Sequence, residues 1–454
     1  MRNRTAALAS TILTAAALSN ALPSWSDTIL HFDATTEQRQ LGDGKKAPAG
    51  PTISQRKLTV SLGHDYISVD SADSKRIWRF DTRRVITINK KEKRYVDDSL
   101  YADLAFRQAE LNNRMMLGSI IQKAGIRTDV MGSQTALEEL FGIDAPSVSL
   151  SSIVPKYDVI TDGGTIKFNH KGHTRAEFKT DGDITDNDAK TGFRHFLCYQ
   201  VQVHPEVRKA IVETGKFPDT MMFRTDNLPV SAYRQTLKLT SSAVTDTSGE
   251  SIPEGLALES SKELGDLIHH AEDKSNKPDR EDSVQFAHDA LAAGNRLDAM
   301  LALMEVGLSS GDKLVDEVKK LNEGADKDPQ FQLFIKAVSL STDPHSSQDA
   351  EKLFDQIDRT KLKKAYELDI YKANCVLADG KPAEAGQLFI KALKANPYIS
   401  GAWADLGDTY YSSFRMDLAW QCWDEARRLS PANPIAAKVN ELEDHLRSSY
   451  PDFF

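Results

Sequence analysis

Four residues of types that ligate transition metals stand near one another in the first half of the chain: His170 and His173, flanking Lys171-Gly172, with His195 and Cys198 further on. Structural zinc sites pair their ligands at C-x2-C or H-x3-H spacings, whereas these donors scatter over a turn and a separate element. Two solvent-facing turn histidines and no metal are therefore expected. Asp181, Asp183 and Thr185 present alternating oxygens as a calcium loop does, yet position six is Asp186, where the sharp turn needs Gly, and position twelve is Gly192, where a bidentate Glu is needed. That stretch reads as a solvated acidic turn. His269-His270 falls on a surface helix, and Cys198, Cys375 and Cys422 read as three buried free thiols, although a bridge between the last two stays open. No G-x-S-x-G, H-E-x-x-H, C-x-x-C or G-x4-G-K-[ST] occurs, so the local signatures of hydrolase, zincin, redox and nucleotide chemistry are lacking. The expectation is a protein that is not an enzyme and carries no cofactor.

Where, then, does the chain work, and on what scaffold? Met1-Arg2-Asn3-Arg4 precedes an uncharged Ala- and Leu-rich run from Thr5 to Leu22 and small-x-small sites at Ser19-Asn20-Ala21 and Ser24-Trp25-Ser26. That order is a secretory signal over 1–26, which places the protein in the periplasm or outside the cell. Polar residues dilute the run too much for a spanning helix, and no later stretch is long and apolar enough, so no membrane span is expected after signal removal. A formal charge of −9 without a basic stripe excludes the electrostatic footprint of a nucleic-acid binder. At 454 residues the chain exceeds one core, since cores stop growing at roughly 250–300 residues.

Residues 27–240 read as a β-rich α+β domain. Leu58–Leu62, Tyr66–Val69, Arg76–Phe80 and Val85–Ile88 alternate apolar and polar residues between turn signals, which predicts an antiparallel meander with one buried face. Asp97-Asp98-Ser99 caps a helix that carries Leu100, Leu104, Leu111, Met115 and Met116 to Gly125, and a shorter helix is predicted over Gln134–Phe141. Thr165–His170 and His173–Phe178 form a tight hairpin, His204-Pro205 opens a further helix, and Met221–Phe223 and Tyr233–Leu239 add strands. The runs Asp65–Val69, Ile77–Asp81 and Val85–Tyr95 resemble the lipoprotein-carrier fold and related exported half-barrels over about residues 55–125. That resemblance implies a curved sheet able to shelter an apolar ligand.

Residues 241–282 read as a polar linker in which Leu256–Ala271 can form one helix. Beyond it, Trp403-Ala404-Asp405-Leu406-Gly407-Asp408-Thr409-Tyr410 follows W-x2-L-G-x2-Y, with Ala419, Trp423, Ala426 and Pro431 downstream. This motif is similar to the tetratricopeptide (TPR) repeat. Ala385, Phe389, Ala392 and Pro397 stand thirty-four residues earlier in the same places, although Asp369, Lys372 and Val376 depart from the pattern in that unit's first helix. Weaker units near 330–362 and 280–310, an amphipathic piece at Leu314–Leu321 and a closing helix at Ile435–Leu446 complete an all-α, TPR-like helical-hairpin solenoid over 283–446. The whole is an α+β chain, an antiparallel curved sheet with helices followed by the solenoid.

The resemblance implies that Asn374, Leu377, Asp405, Asp408 and Tyr411 line the concave side of the array. Asp405 and Asp408 make that face acidic, so a basic, or mixed basic and apolar, protein partner is expected. The expected function is an exported, non-catalytic scaffold or adaptor. The alternative is a periplasmic carrier of a lipid or other apolar ligand in the N-terminal sheet.

Overall fold

The computed structural model describes residues 26–40, 50–125, 134–145, 156–183, 187–227, 231–245, 249–259, 262–273, 275, 277–431 and 434–454. Apart from Ser26 the expected signal lies outside the described residues, as do residues 184–186 of the acidic turn.

Leu30, Phe32 and Ala34 are buried and alternate with exposed His31 and Asp33, which fixes one face of the first strand, β1 (Asp27–Gln40). Sequence periodicity misses this strand, because Thr35 to Gln40 is polar on both faces. From β1 the chain meanders outward through β2 (Thr52–Leu62), β3 (Tyr66–Asp70), β4 (Ser74–Arg79), β5 (Arg84–Asn89) and β6 (Arg94–Ser99). A second meander, β7 (Asp158–Asp162), β8 (Thr165–His170), β9 (His173–Asp183), β10 (Lys216–Asn227) and β11 (Ser231–Thr245), runs inward from the opposite edge. With a short β12 (Ala257–Leu258) they make one 12-stranded sheet, ordered β12-β6-β5-β4-β3-β2-β1-β11-β10-β9-β8-β7. The two meanders meet where β1 pairs β11, from Asp27↔Thr245 to Gln40↔Ser231, with a register shift at His31/Phe32. The expected Lys171-Gly172 hairpin is present, both residues holding positive φ (51° and 78°) as a tight two-residue turn requires.

One face of this sheet curves around four helices: α1 (Leu100–Lys123), α2 (Gln134–Phe141), α3 (Asn187–Phe196) and α4 (Pro205–Glu213). The Ser99 hydroxyl caps α1 by accepting from the Tyr101 amide, and His204 caps α4 by accepting from the Glu206 amide ahead of Pro205. A π-helical turn, Leu197–Val201, prolongs α3, and the widened backbone leaves the Cys198 carbonyl to accept from Arg107 at 2.9 Å.

The second half is helical: α5 (Lys262–Glu272), α6 (Arg280–Ala292), α7 (Arg296–Ser310), α8 (Val315–Asn322), α9 (Pro329–Ser341), α10 (Ser347–Asp355), α11 (Glu367–Ala378), α12 (Pro382–Ala395), α13 (Ser400–Ser412), α14 (Met416–Leu429), α15 (Pro434–Ser449) and a 3₁₀ turn, Pro451–Phe453. Helices α6/α7, α9/α10, α11/α12 and α13/α14 pack as consecutive hairpins, and Pro382 and Met416 open equivalent helices thirty-four residues apart. The chain is therefore α+β, a curved antiparallel sheet followed by helical hairpins.

Two expectations need correction. Residues 241–282 do not form a free linker: β11 continues to Thr245, β12 pairs in parallel with β6, and α5 buries Leu264, Leu267 and Ala271 against α11–α14. Ile252 and Leu256 cover Tyr66, Ile77, Ile86 and Ile88 on the outer face of the sheet, while Glu250 accepts from Ser68 at 2.9 Å and from Lys75 at 2.6 Å. The segment's few apolar residues suffice because each meets a prepared patch. Nor does the closing helix merely solvate the end of the hairpin stack. Val439 and Leu446 of α15, Met416, Ala419, Trp420 and Trp423 of α14, and Phe453 enter the same core as Leu30, Phe32 and Trp78 of the sheet. The helical half thus joins the core of the sheet half through α14 and α15, beside two clusters of its own.

Candidate functional site

The sequence-predicted residues fall in three places. His173 is exposed on its turn, but His170 is half-buried with Nδ1 2.8 Å from the Lys156 carbonyl, so only one of the two faces solvent. His195 and Cys198 lie in the core instead. All three cysteines are free and buried, and no group of three or more His, Cys, Asp or Glu is placed to hold a metal among the described residues.

Trp403, Leu406, Ala419, Trp423 and Ala426 are buried, as are Ala385, Phe389 and Ala392 one unit earlier. The Trp403 indole donates to the Pro397 carbonyl at 2.7 Å and the Trp423 indole to the Ala404 carbonyl at 3.3 Å; Tyr410 is half-buried and Pro431 exposed. Gly407 sits where a Cβ would lie 2.4 Å from the Trp423 ring, so that helix crossing requires glycine. The concave-face candidates meet partners within the chain. Asn374 donates to Asp405 at 3.0 Å, Asp408 pairs with Lys438 of α15 at 2.7 Å, Leu377 packs on the hairpin core, and the Tyr411 ring lies 5.5 Å from that of Trp423. Burial, offset in part by the Asn374 hydrogen bond, raises the Asp405 carboxyl to about 6.

A different cluster forms inside the curve of the sheet. There Phe453 is buried among α1, α3, the π turn and α4, while Pro451 is exposed and Asp452 and Phe454 are half-buried. Phe453 is fully buried, with the Tyr199 ring edge-on at 5.1 Å and the guanidinium groups of Arg107 and Arg208 over its ring at 5.6 and 5.4 Å. The Tyr199 hydroxyl donates to the Phe453 carbonyl at 2.9 Å. Phe454 rests against Tyr101 at 5.3 Å, with the Arg83 guanidinium 5.7 Å from its ring. Asp452 accepts from Arg208 at 3.1 Å and lies 3.8 Å from Arg194, while the Cys198 thiol donates to its carbonyl at 3.5 Å. Arg83, Arg107, Arg194 and Arg208 thus border an aromatic cluster. Nε of Arg107 and Nε of Arg194 are buried without a hydrogen-bond partner among the described residues. Burial, aided by the charge of Arg194, drives His195 down to about 3 and keeps its ring neutral, 3.9 Å from that of Phe80.

Sequence reasoning missed this cluster. Its arginines are scattered over more than a hundred residues, and only Asp452-Phe453-Phe454, an acid beside two aromatics, could have signalled it. It also missed Glu138, which is fully buried and bound by His204 at 3.3 Å, Lys156 at 2.9 Å and the Ala145 amide at 3.0 Å. Burial alone would raise this carboxyl; the hydrogen bonds overcome it and hold the group at about 2, so Glu138 fastens α2 to α4 as a carboxylate.

A recess of about 340 Å³ opens between the halves, lined in part by Trp78, Phe106, Phe414, Asp98, Asp103 and Asp417. Phe414 stands at φ 60° in the α13–α14 turn, where the α6–α7 and α11–α12 turns have Gly294 and Gly380 at φ 80° and 76°.

The sheet curves around a concavity filled by helices and by Phe453. No protein-family model and no curated relative matches the sequence. A solved structure described as lipid–protein interactions in lipovitellin is similar at 9% identity and a TM-score of 0.18, over 88% of this chain and 48% of that one, so this chain spans about half of that chain's length. At that TM-score the likeness defines no common fold. Among the described residues no helix is long and apolar enough to cross a membrane.

Proposed function

We propose that the protein is an exported, non-catalytic carrier that holds an apolar ligand in the concavity of its sheet, with TPR-like hairpins docked against the open side. The observation that carries this reading is the aromatic, arginine-bordered cluster around Phe453, which lies inside the sheet yet is completed by a separate segment. Ligand sites of this kind are concave and mostly apolar, with a few convergent polar groups fixing orientation. The titratable groups nearby favour holding over chemistry. His195 is neutral under Phe80, and the Cys198 thiol is pushed up to about 11 by burial, which disfavours a nucleophilic thiolate. Full-length protein purified from the exporting cell should release an amphiphile into organic solvent, identifiable by mass spectrometry. It should also bind an apolar dye with saturation. Protein that yields no lipid and shows no saturable dye binding would refute the carrier reading.

A protein-partner reading is favoured by one separate feature, the recess between the halves. A bulky residue at positive φ costs roughly 1–2 kcal/mol, and Phe414 bears that cost while 37% exposed beside Phe106, 40% exposed, and three aspartates. That surface suits a basic and apolar segment of another protein. Phe414→Gly should keep the fold and weaken capture of such a partner from the exporting cell. Undiminished capture by the folded variant would remove this recess from consideration.

A further inference from the structure

The space inside the sheet is occupied by the chain itself. Phe453 is as deeply buried as Leu30 or Phe178, yet it reaches the core from a 3₁₀ turn that follows directly on α15 and pairs with no strand of the described sheet. What holds it is a set of ligand-like interactions: a carboxylate between Arg208 and Arg194, a carbonyl accepting from the Tyr199 hydroxyl, and phenyl rings beneath three guanidinium groups. The arginines are not exhausted by these contacts, since buried Nε atoms of Arg107 and Arg194 remain unsatisfied among the described residues. A buried unpaired donor is costly, so the segment does not satisfy every polar group that borders it.

Resting on the carrier reading, we propose that Pro451–Phe454 is a displaceable internal occupant of the ligand site, and that the ligand it stands in for is a carboxylate amphiphile, an anionic head on an acyl chain. The carboxylate takes the place of Asp452 between Arg194 and Arg208. The chain takes the place of the phenyl rings among Tyr101, Tyr199 and Arg107. Two phenylalanine side chains hold about fourteen carbons, so a chain of similar length fills the same volume. Filled from within, the site shields its apolar surface from water when empty of ligand, and loading must expel the segment. The apparent affinity is then lowered by the fraction of molecules in which the segment is docked.

The test uses the full chain, delipidated, with dansylated undecanoic acid and its methyl ester as probes. Asp452→Asn removes the paired charge and leaves Phe453 in the core; Phe454→Ala trims the less buried ring. Each should bind the acid at least tenfold more tightly than the unaltered protein, and the ester should bind much more weakly than the acid. In the unaltered protein, saturating tetradecanoic acid should raise amide hydrogen exchange over residues 449–454, a readout that requires no substitution. Equal acid affinity in all three proteins, with exchange over 449–454 unchanged by bound fatty acid, would overturn the internal occupant and leave the carrier reading standing. Ester binding as tight as acid binding would overturn the carboxylate assignment. Failure of every protein to bind either probe would overturn the carrier reading itself.

Discussion

Gly407 and Gly386 both stand in helices of the hairpin array, yet a methyl group would meet opposite conditions at the two positions. At Gly407 the new carbon falls 2.4 Å from the Trp423 ring, a buried side chain with little room to move, whereas at Gly386 its nearest neighbours are 3.9 Å away. Gly407→Ala should therefore lose about 1–3 kcal/mol through overpacking. Gly386→Ala should gain up to about 1 kcal/mol from helix propensity. Urea unfolding of the pair measures both signs. Asp405 adds a pH signature. Its folded pKa of about 6 lies above the ordinary carboxyl value of 3.8, so between those limits the native state binds more protons than the unfolded chain. Stability from this group is present below pH 3.8 and lost as pH rises through 6. Asp405→Asn, which cannot ionise, should show its largest relative gain, about 1–2 kcal/mol, above pH 6 and almost none at pH 4. Unfolding curves of both proteins at the two pH values check the difference.

At the scale of elements, α14 decides how the halves are joined. It belongs to a hairpin through Ala419 and Trp423, and to the sheet domain through Trp420, which stacks on Tyr101 of α1 at 6.4 Å. Its indole also donates to Glu443 of α15 at 3.0 Å. Around this contact Arg84 of β5 bridges Asp97 at 2.8 Å and Asp424 of α14 at 2.9 Å. Those ion pairs are partly exposed and add only about 0–1 kcal/mol each. Trp420→Ala should cost about 3–5 kcal/mol, because the cavity lies in a core that rigid elements close from both sides. The Arg84→Ala variant should lose much less. Denaturant midpoints of the two variants test whether packing or charge joins the halves.

For the whole molecule, the shared core predicts one cooperative unfolding event. The sequence division at residue 241 suggests two independent units, but severing them would expose Trp420, Leu446 and Phe453 on one side and Trp78, Tyr101 and Tyr199 on the other. Tryptophan fluorescence, weighted toward the helical half, and far-ultraviolet circular dichroism should therefore melt with the same midpoint. Separated transitions would show that the two halves hold together less strongly than either holds itself.

What the sequence determined by itself is local and periodic. Strands β2 to β5, the Lys171-Gly172 hairpin, the Ser99 and His204 caps and the α13–α14 hairpin were legible because period two, period 3.6, positive-φ turns and capping chemistry act within a few residues. The tight Gly407–Trp423 crossing was legible because a repeat motif encodes its packing. Tertiary structure decided the rest. It paired β1 with β11 across two hundred residues, turned the apparent linker into cover for the outer sheet face, and engaged Asp405 and Asp408 within the chain instead of leaving them for a partner. It also gathered Arg83, Arg107, Arg194 and Arg208 around Phe453 and Phe454. No spacing rule could have announced that cluster: each arginine comes from a different stretch of chain, and only the curvature of the sheet around α1 and α3 brings their charges to one set of aromatic rings.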